Sequence, residues 1–130
     1  MGGEESSSGV GETLLLVDAE EMFRIAIGAA LGRRGYSVLL AGAAHAAMDL
    51  FHQHAAQIDA VILELALPGI PAIEVLHRMR RIRGDVKVVL TGAPDRFGSG
   101  KTAVDGKGAV FLRKPYRVNE LVGQLRLLRR

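Results

Sequence analysis

Five short apolar runs punctuate the chain from residue 13 onward: TLLLV (Thr13–Val17), YSVLL (Tyr36–Leu40), DAVIL (Asp59–Leu63), VKVVL (Val86–Leu90) and AVFL (Ala109–Leu112). Several are continuous rather than alternating, and rich in Val, Ile and Leu. A strand with one wet face alternates; a continuous run of this length fits a strand buried on both faces, as in a parallel sheet. Between the runs the apolar period changes to that of a helix. The stretch from about Glu20 to Arg34 opens on acids, closes on Arg33 and Arg34, and meets Gly35 as a C-terminal stop. A second helix aligns Ala44, Ala47, Met48, Phe51 and Ala55 on one face. A third has Pro71 near its first turn, aligns Ala72, Val75, Leu76 and Met79, and stops at Gly84. The last aligns Val118, Leu121, Val122, Leu125 and Leu128. The segment APDRFGSGKTAVDGKG, between the fourth and fifth runs, holds four glycines from Gly98 to Gly108. Each glycine costs a helix interior about 0.5–1 kcal/mol, so the helix expected there is short, frayed or partly a loop. Strand and helix in repeated alternation predict an α/β fold, a doubly wound parallel sheet with helices on both faces.

Composition narrows the chemistry. The chain has 130 residues, of which 48% are hydrophobic and 24% charged, which fits one ordinary globular domain. It has no cysteine, which excludes disulfides, thiolate metal sites and thiol nucleophiles. His45, His52, His54 and His77 follow no zinc-motif spacing, and His52 and His54 do not share a helix face. No apolar run approaches the ~18 residues of a membrane span, and no signal peptide opens the chain. A cytoplasmic domain without membrane contact is expected. Residues 1–12, MGGEESSSGVGE, cannot pack and are expected to be a disordered leader or linker ahead of a domain over residues 13–130. The net charge of +3 is carried largely by Arg78, Arg80, Arg81 and Arg83, then Arg126, Arg129 and Arg130. Both clusters read as solvated helix faces, so nucleic-acid contact is not expected from this domain alone. Glu74 and His77 read as a surface pair at i, i+3, and Asp59 as a structural or surface acid opening its strand.

In an open α/β sheet, ligands bind outside the carboxyl ends of the strands. Asp18 ends the first strand, Glu64 the third and Thr91 the fourth, while the fifth runs through Arg113 to Lys114-Pro115. Two carboxylates, a hydroxyl and an ammonium thus converge on one edge and form the candidate site. GSGKT (Gly98–Thr102) looks like the end of a phosphate-binding loop, but the motif wants a leading glycine where Asp95 stands. Nucleotide binding through Gly98–Thr102 is kept as a third reading.

The pieces LLLVDAEE (Leu14–Glu21), DAVILELALPG (Asp59–Gly69), VVLTG (Val88–Gly92) and FLRKPY (Phe111–Tyr116), in that order and spacing, resemble the receiver domain of two-component response regulators, the family of the chemotaxis response regulator. GVGETLLLVDAEE also looks like the junction before the C-terminal receiver of a hybrid sensor histidine kinase. The resemblance implies a flavodoxin-like fold with five parallel strands in order 2-1-3-4-5. It implies Mg²⁺ held by an acid pair after the first strand and by an Asp ending the third, which accepts a phosphoryl group from a histidine kinase. On that pattern Asp18 is the first acid, Thr91 the switch hydroxyl, Phe111 the switch aromatic and Lys114 the phosphoryl-pairing lysine. Pro115 follows an expected cis peptide bond with Lys114.

Two positions depart from the pattern: Ala19 stands where the second acid belongs, and Glu64 where the phosphoacceptor Asp belongs. Glu carries its carboxylate one methylene too far, and a misplacement of ~1 Å can cost about a hundredfold in rate. Losing the Ala19 carboxylate weakens a metal site built on few carboxylates, so Mg²⁺ at Asp18 and Glu64, with Glu20 as a further candidate ligand, is expected to be weak or absent. The expected function is that of a degenerate receiver, a pseudo-receiver and not an enzyme. It would act by protein–protein contact, through the face of the fourth helix, fifth strand and last helix, on a histidine kinase or an attached kinase or output domain. The alternative is an active receiver with atypical Mg²⁺-dependent phosphoryl transfer. Charge and reach further predict a direct Glu64–Lys114 salt bridge that holds the domain in one state.

Overall fold

A computed structural model describes residues 11–93 and 108–129. The expected leader up to residue 10, the glycine-rich fourth helix with GSGKT, and Arg130 lie outside the described residues. Five strands are present: β1 (Thr13–Val17), β2 (Ser37–Ala41), β3 (Ile58–Glu64), β4 (Lys87–Gly92) and β5 (Ala109–Arg113). Four helices are described: α1 (Glu21–Arg33), α2 (Ala44–His54), α3 (Ala72–Ile82) and α4 (Val118–Arg129). The strands form one parallel sheet in order β2-β1-β3-β4-β5, as expected.

The sheet is doubly covered because successive side chains of a strand point to opposite faces. Along β1, Leu15 and Val17 enter one core with Val61 and Leu63 of β3, Phe51 of α2 and Met79 of α3. Leu14 and Leu16 enter the other, with Ile62 of β3, Leu31 of α1 and Leu121 and Leu125 of α4. Both layers bury apolar residues, so β1, β3 and β4 read as unbroken hydrophobic runs. Strand β2, at the sheet edge, is less covered, and Leu40 stays 40% exposed.

Several boundaries shift from the apolar runs by a residue or two, and two strands start one residue late. Tyr36 still belongs to the turn after α1, where its N–H donates to the Leu31 carbonyl at 3.2 Å, so β2 starts at Ser37. Val86 is likewise held by the turn after α3, donating to Arg83 O at 3.3 Å. Gly35 does stop α1, with φ at 95° in the left-handed region that glycine adopts without strain. Asp59 is structural: its Oδ2 accepts the Thr13 N–H at 2.7 Å and fastens the start of β1. Glu74 pairs not with His77 but with Arg78 at 3.1 Å and Arg81 at 3.6 Å. The flat guanidinium fork at i+4 reaches the carboxylate better than an imidazole at i+3 does. Nor is Arg83 merely a solvated basic residue, since its guanidinium donates to the carbonyls of Ala55 and Ile58 and ties the end of α2 to the start of β3.

Candidate functional site

All four residues read from the strand ends meet at the carboxyl edge. Asp18 follows β1 directly; Glu64 and Thr91 are register partners on β3 and β4. Lys114 follows β5, its N–H donating to the Gly92 carbonyl at 2.9 Å. The Lys114–Pro115 peptide bond is cis. Asp18, Glu64 and Thr91 are buried, at 1%, 6% and 1% exposure.

The expected Glu64–Lys114 pair is present, Lys114 Nζ donating to Glu64 Oε2 at 3.0 Å. It is part of a larger cluster. The same ammonium donates to Asp18 Oδ2 at 2.9 Å and to Glu20 Oε1 at 2.7 Å. All three protons of the ammonium are therefore spent on carboxylates. The second oxygens of the two buried acids are also engaged: Ala19 N–H donates to Glu64 Oε1 and Glu20 N–H to Asp18 Oδ1, both at 2.8 Å. Glu64 spans both a backbone donor on the β1–α1 turn and the lysine, and its longer side chain provides that reach. Three carboxylates against one ammonium leave two negative charges in excess, with Lys114 holding the acids together.

Sequence reasoning missed two aromatic neighbours. Phe23, on α1, lies with its ring centroid 4.7 Å from Lys114 Nζ, in cation–π range. Tyr116 packs edge-on against Phe23, with centroids 5.2 Å apart. The phase of α1 places Phe23 toward this edge, a signal that apolar patterning alone does not separate from core packing. Phe111 on β5 is buried in the core shared by α2 and α3, opposite Leu90 in the β4–β5 register.

The donor set bears directly on Mg²⁺. Oxygens of Asp18, Glu20 and Glu64 lie within 4.8 Å of one another, the right class of ligand for a hard cation. In this arrangement the lysine ammonium sits where all three converge, and a divalent ion would have to displace it.

Titration follows from the same contacts. Burial works against the Lys114 charge, but hydrogen bonds to Glu20, Asp18 and Glu64 outweigh it and hold the ammonium above the usual lysine range. Burial, and then the charge of Asp18, raise the Tyr116 phenol. A group with a raised folded pKa contributes fully below its unfolded pKa and loses that contribution as pH rises through the folded value. The titration of Lys114 and Tyr116 should therefore add no pH dependence to stability near neutrality, and stability should fall above about pH 10, where the unfolded chain releases protons that the fold retains. Urea denaturation across the alkaline range checks this. Lys114→Met and Tyr116→Phe should each flatten the decline, and slopes left unchanged by both would contradict the assignment.

Comparison with known proteins identifies the family. The family model for the response regulator receiver domain matches residues 14–126. The response regulator MprA of Mycolicibacterium vanbaalenii is 29% identical over 117 residues, 90% of this chain and 50% of that protein. The protein of the same name from Mycobacterium avium is 27% identical over 117 residues, with the same shares of 90% and 50%. The chain thus spans about half the length of the curated relatives it matches. A response regulator receiver domain protein from Clostridium thermocellum superposes with a TM-score of 0.79 at 23% identity, covering 90% of this chain and 93% of that one. The receiver domain of the hybrid histidine kinase CckA gives 0.77 at 24% identity, covering 91% and 99%. At such identities the solved structures speak for the fold, and the family match speaks for descent. With the family model matched from residue 14 to residue 126, this chain belongs to the response regulator receiver domain family.

Proposed function

We propose that this receiver is a pseudo-receiver, a regulatory module that works by protein–protein contact and not by accepting a phosphoryl group. The carrying observation is that both oxygens of Glu64 are engaged. Oε1 accepts from the Ala19 N–H and Oε2 from Lys114, so attack by either oxygen would compete with a hydrogen bond already made. Receiver domains typically bind Mg²⁺ through acids at this edge. Here the absent acid at Ala19 and the lysine drawn among the remaining three support weak or no Mg²⁺ binding. On this reading Glu64, Lys114 and Thr91 hold one conformational state that Phe111 reports, and Asp18 and Glu20 anchor the lysine. The unit covers residues 13–130 behind a leader or linker of residues 1–12. Its partner is a histidine kinase, or a kinase or output domain on the same chain. Among the described residues no helix is long and apolar enough to cross a membrane, and we place the domain in the cytoplasm.

The competing reading, an active receiver with atypical Mg²⁺-dependent chemistry, draws on the same three carboxylates. Amide NMR spectra recorded with and without Mg²⁺ and beryllofluoride, a phosphoryl mimic, separate the two. The pseudo-receiver predicts spectra that superimpose around Thr91 and Phe111. Saturable shifts there would overturn it.

A further inference from the structure

We propose that the groove between α2 and α3 is a binding site for a small amphiphilic anion, one with a bulky apolar body and a single acidic head. Both helices start at the carboxyl edge of the sheet and run away from it side by side. Between them lies a cavity of about 600 Å³, within the range of small-molecule sites and apart from the acidic edge. From Ala44 to His52 it runs along about 12 Å of helix, at 1.5 Å per residue.

The two ends of the groove differ in chemistry. Near the sheet edge Ala44, Met48 and Ile70 give apolar walls beside His45, with a thioether that adapts to a guest, and Ile82 continues the apolar lining at the far end. Toward the far end, Arg78 and Arg81 on α3 face His52 on α2. The two guanidinium groups share Glu74, with side chains 46% and 68% exposed, so this solvated pairing can give way to a ligand head. Arginine forks suit planar carboxylate, sulfonate and phosphate groups. One acid, Asp49, lines the opposite wall, with His45 and His52 four residues before and three after it. It disfavours an anion at mid-groove and directs the head to the arginine end.

The site does not depend on how Glu64 is read. Its rim does include Gly69 and Ile70, on the loop that leaves β3 at Glu64. A bound ligand would thus touch the segment that frames the carboxyl edge.

The test uses two fluorescent probes of similar shape on the whole chain: the anion 8-anilinonaphthalene-1-sulfonate and its neutral analogue N-phenyl-1-naphthylamine. The sulfonate should bind saturably at one per chain. The paired change Arg78→Gln with Arg81→Gln should weaken the sulfonate tenfold or more and shift the neutral probe by less than twofold. Met48→Trp, which fills the groove at a half-buried position, should remove binding of both. Thermal melts of each variant check that the fold is kept, since loosened folds also bind the sulfonate. Sulfonate binding that survives Met48→Trp, equal weakening of both probes by the arginine pair, or no saturable binding would overturn the site.

Discussion

Lys114→Met is expected to destabilise the domain by about 3–5 kcal/mol, the scale of a buried ion pair broken from one side. The lysine side chain is 14% exposed, and Asp18 and Glu64 beside it are 1% and 8% exposed. Removing it leaves three carboxylates within 4.8 Å of one another and no cation among them. Glu64→Gln should cost far less, about 1 kcal/mol. A glutamine has one carbonyl oxygen for two donors, Ala19 N–H and Lys114, so one donor loses its partner. Against that, the cluster sheds one of its two excess negative charges. Urea denaturation of both variants measures the ordering. Equal losses would show Glu64–Lys114 to be an isolated pair and not one arm of a four-group cluster.

The second large effect is a gain. Glu64→Asp shortens the side chain, but the position of the second metal-binding acid is still Ala19, and the expected gain in phosphorylation is small. Ala19→Asp restores the acid while Glu64 still overshoots. The two together should raise phosphorylation by acetyl phosphate and Mg²⁺ well beyond the product of the single effects, because both residues serve one step. Each ~1 Å of misplacement is worth about a hundredfold in such a step, so a combined gain on that order or larger is expected. Intact-mass spectrometry of the three variants reads it directly. Simple multiplicativity of the single effects would show that the two positions act separately.

Much of this architecture is legible in the chain because parallel strands buried on both faces leave unbroken apolar runs. The TLLLV run coincides with β1, since Leu14 to Val17 are all buried. Boundaries slip where a turn borrows an apolar residue: Tyr36 looks like the start of β2 but is bonded to Leu31. The site is legible as to which residues meet, because strand ends of a parallel sheet share one edge. How they meet is less so. Glu20 precedes α1 and, read from sequence, is only a further candidate ligand; the reach of Lys114 makes it the partner at 2.7 Å. The Ala19 N–H that holds Glu64 is a backbone donor, and no residue type announces it. The groove of α2 and α3 is hidden for a different reason. Singly, Met48, Arg78 and Arg81 are ordinary helix residues, and only the spacing of two helices makes a cavity of them.

In a pseudo-receiver Glu64 is a structural hydrogen-bond acceptor and not a phosphoryl acceptor. The most direct measurement is the intact mass of the unaltered chain after incubation with acetyl phosphate and Mg²⁺, with fragment analysis of any product. An unchanged mass is expected. A stable gain of one phosphoryl group localised to Glu64 would contradict it.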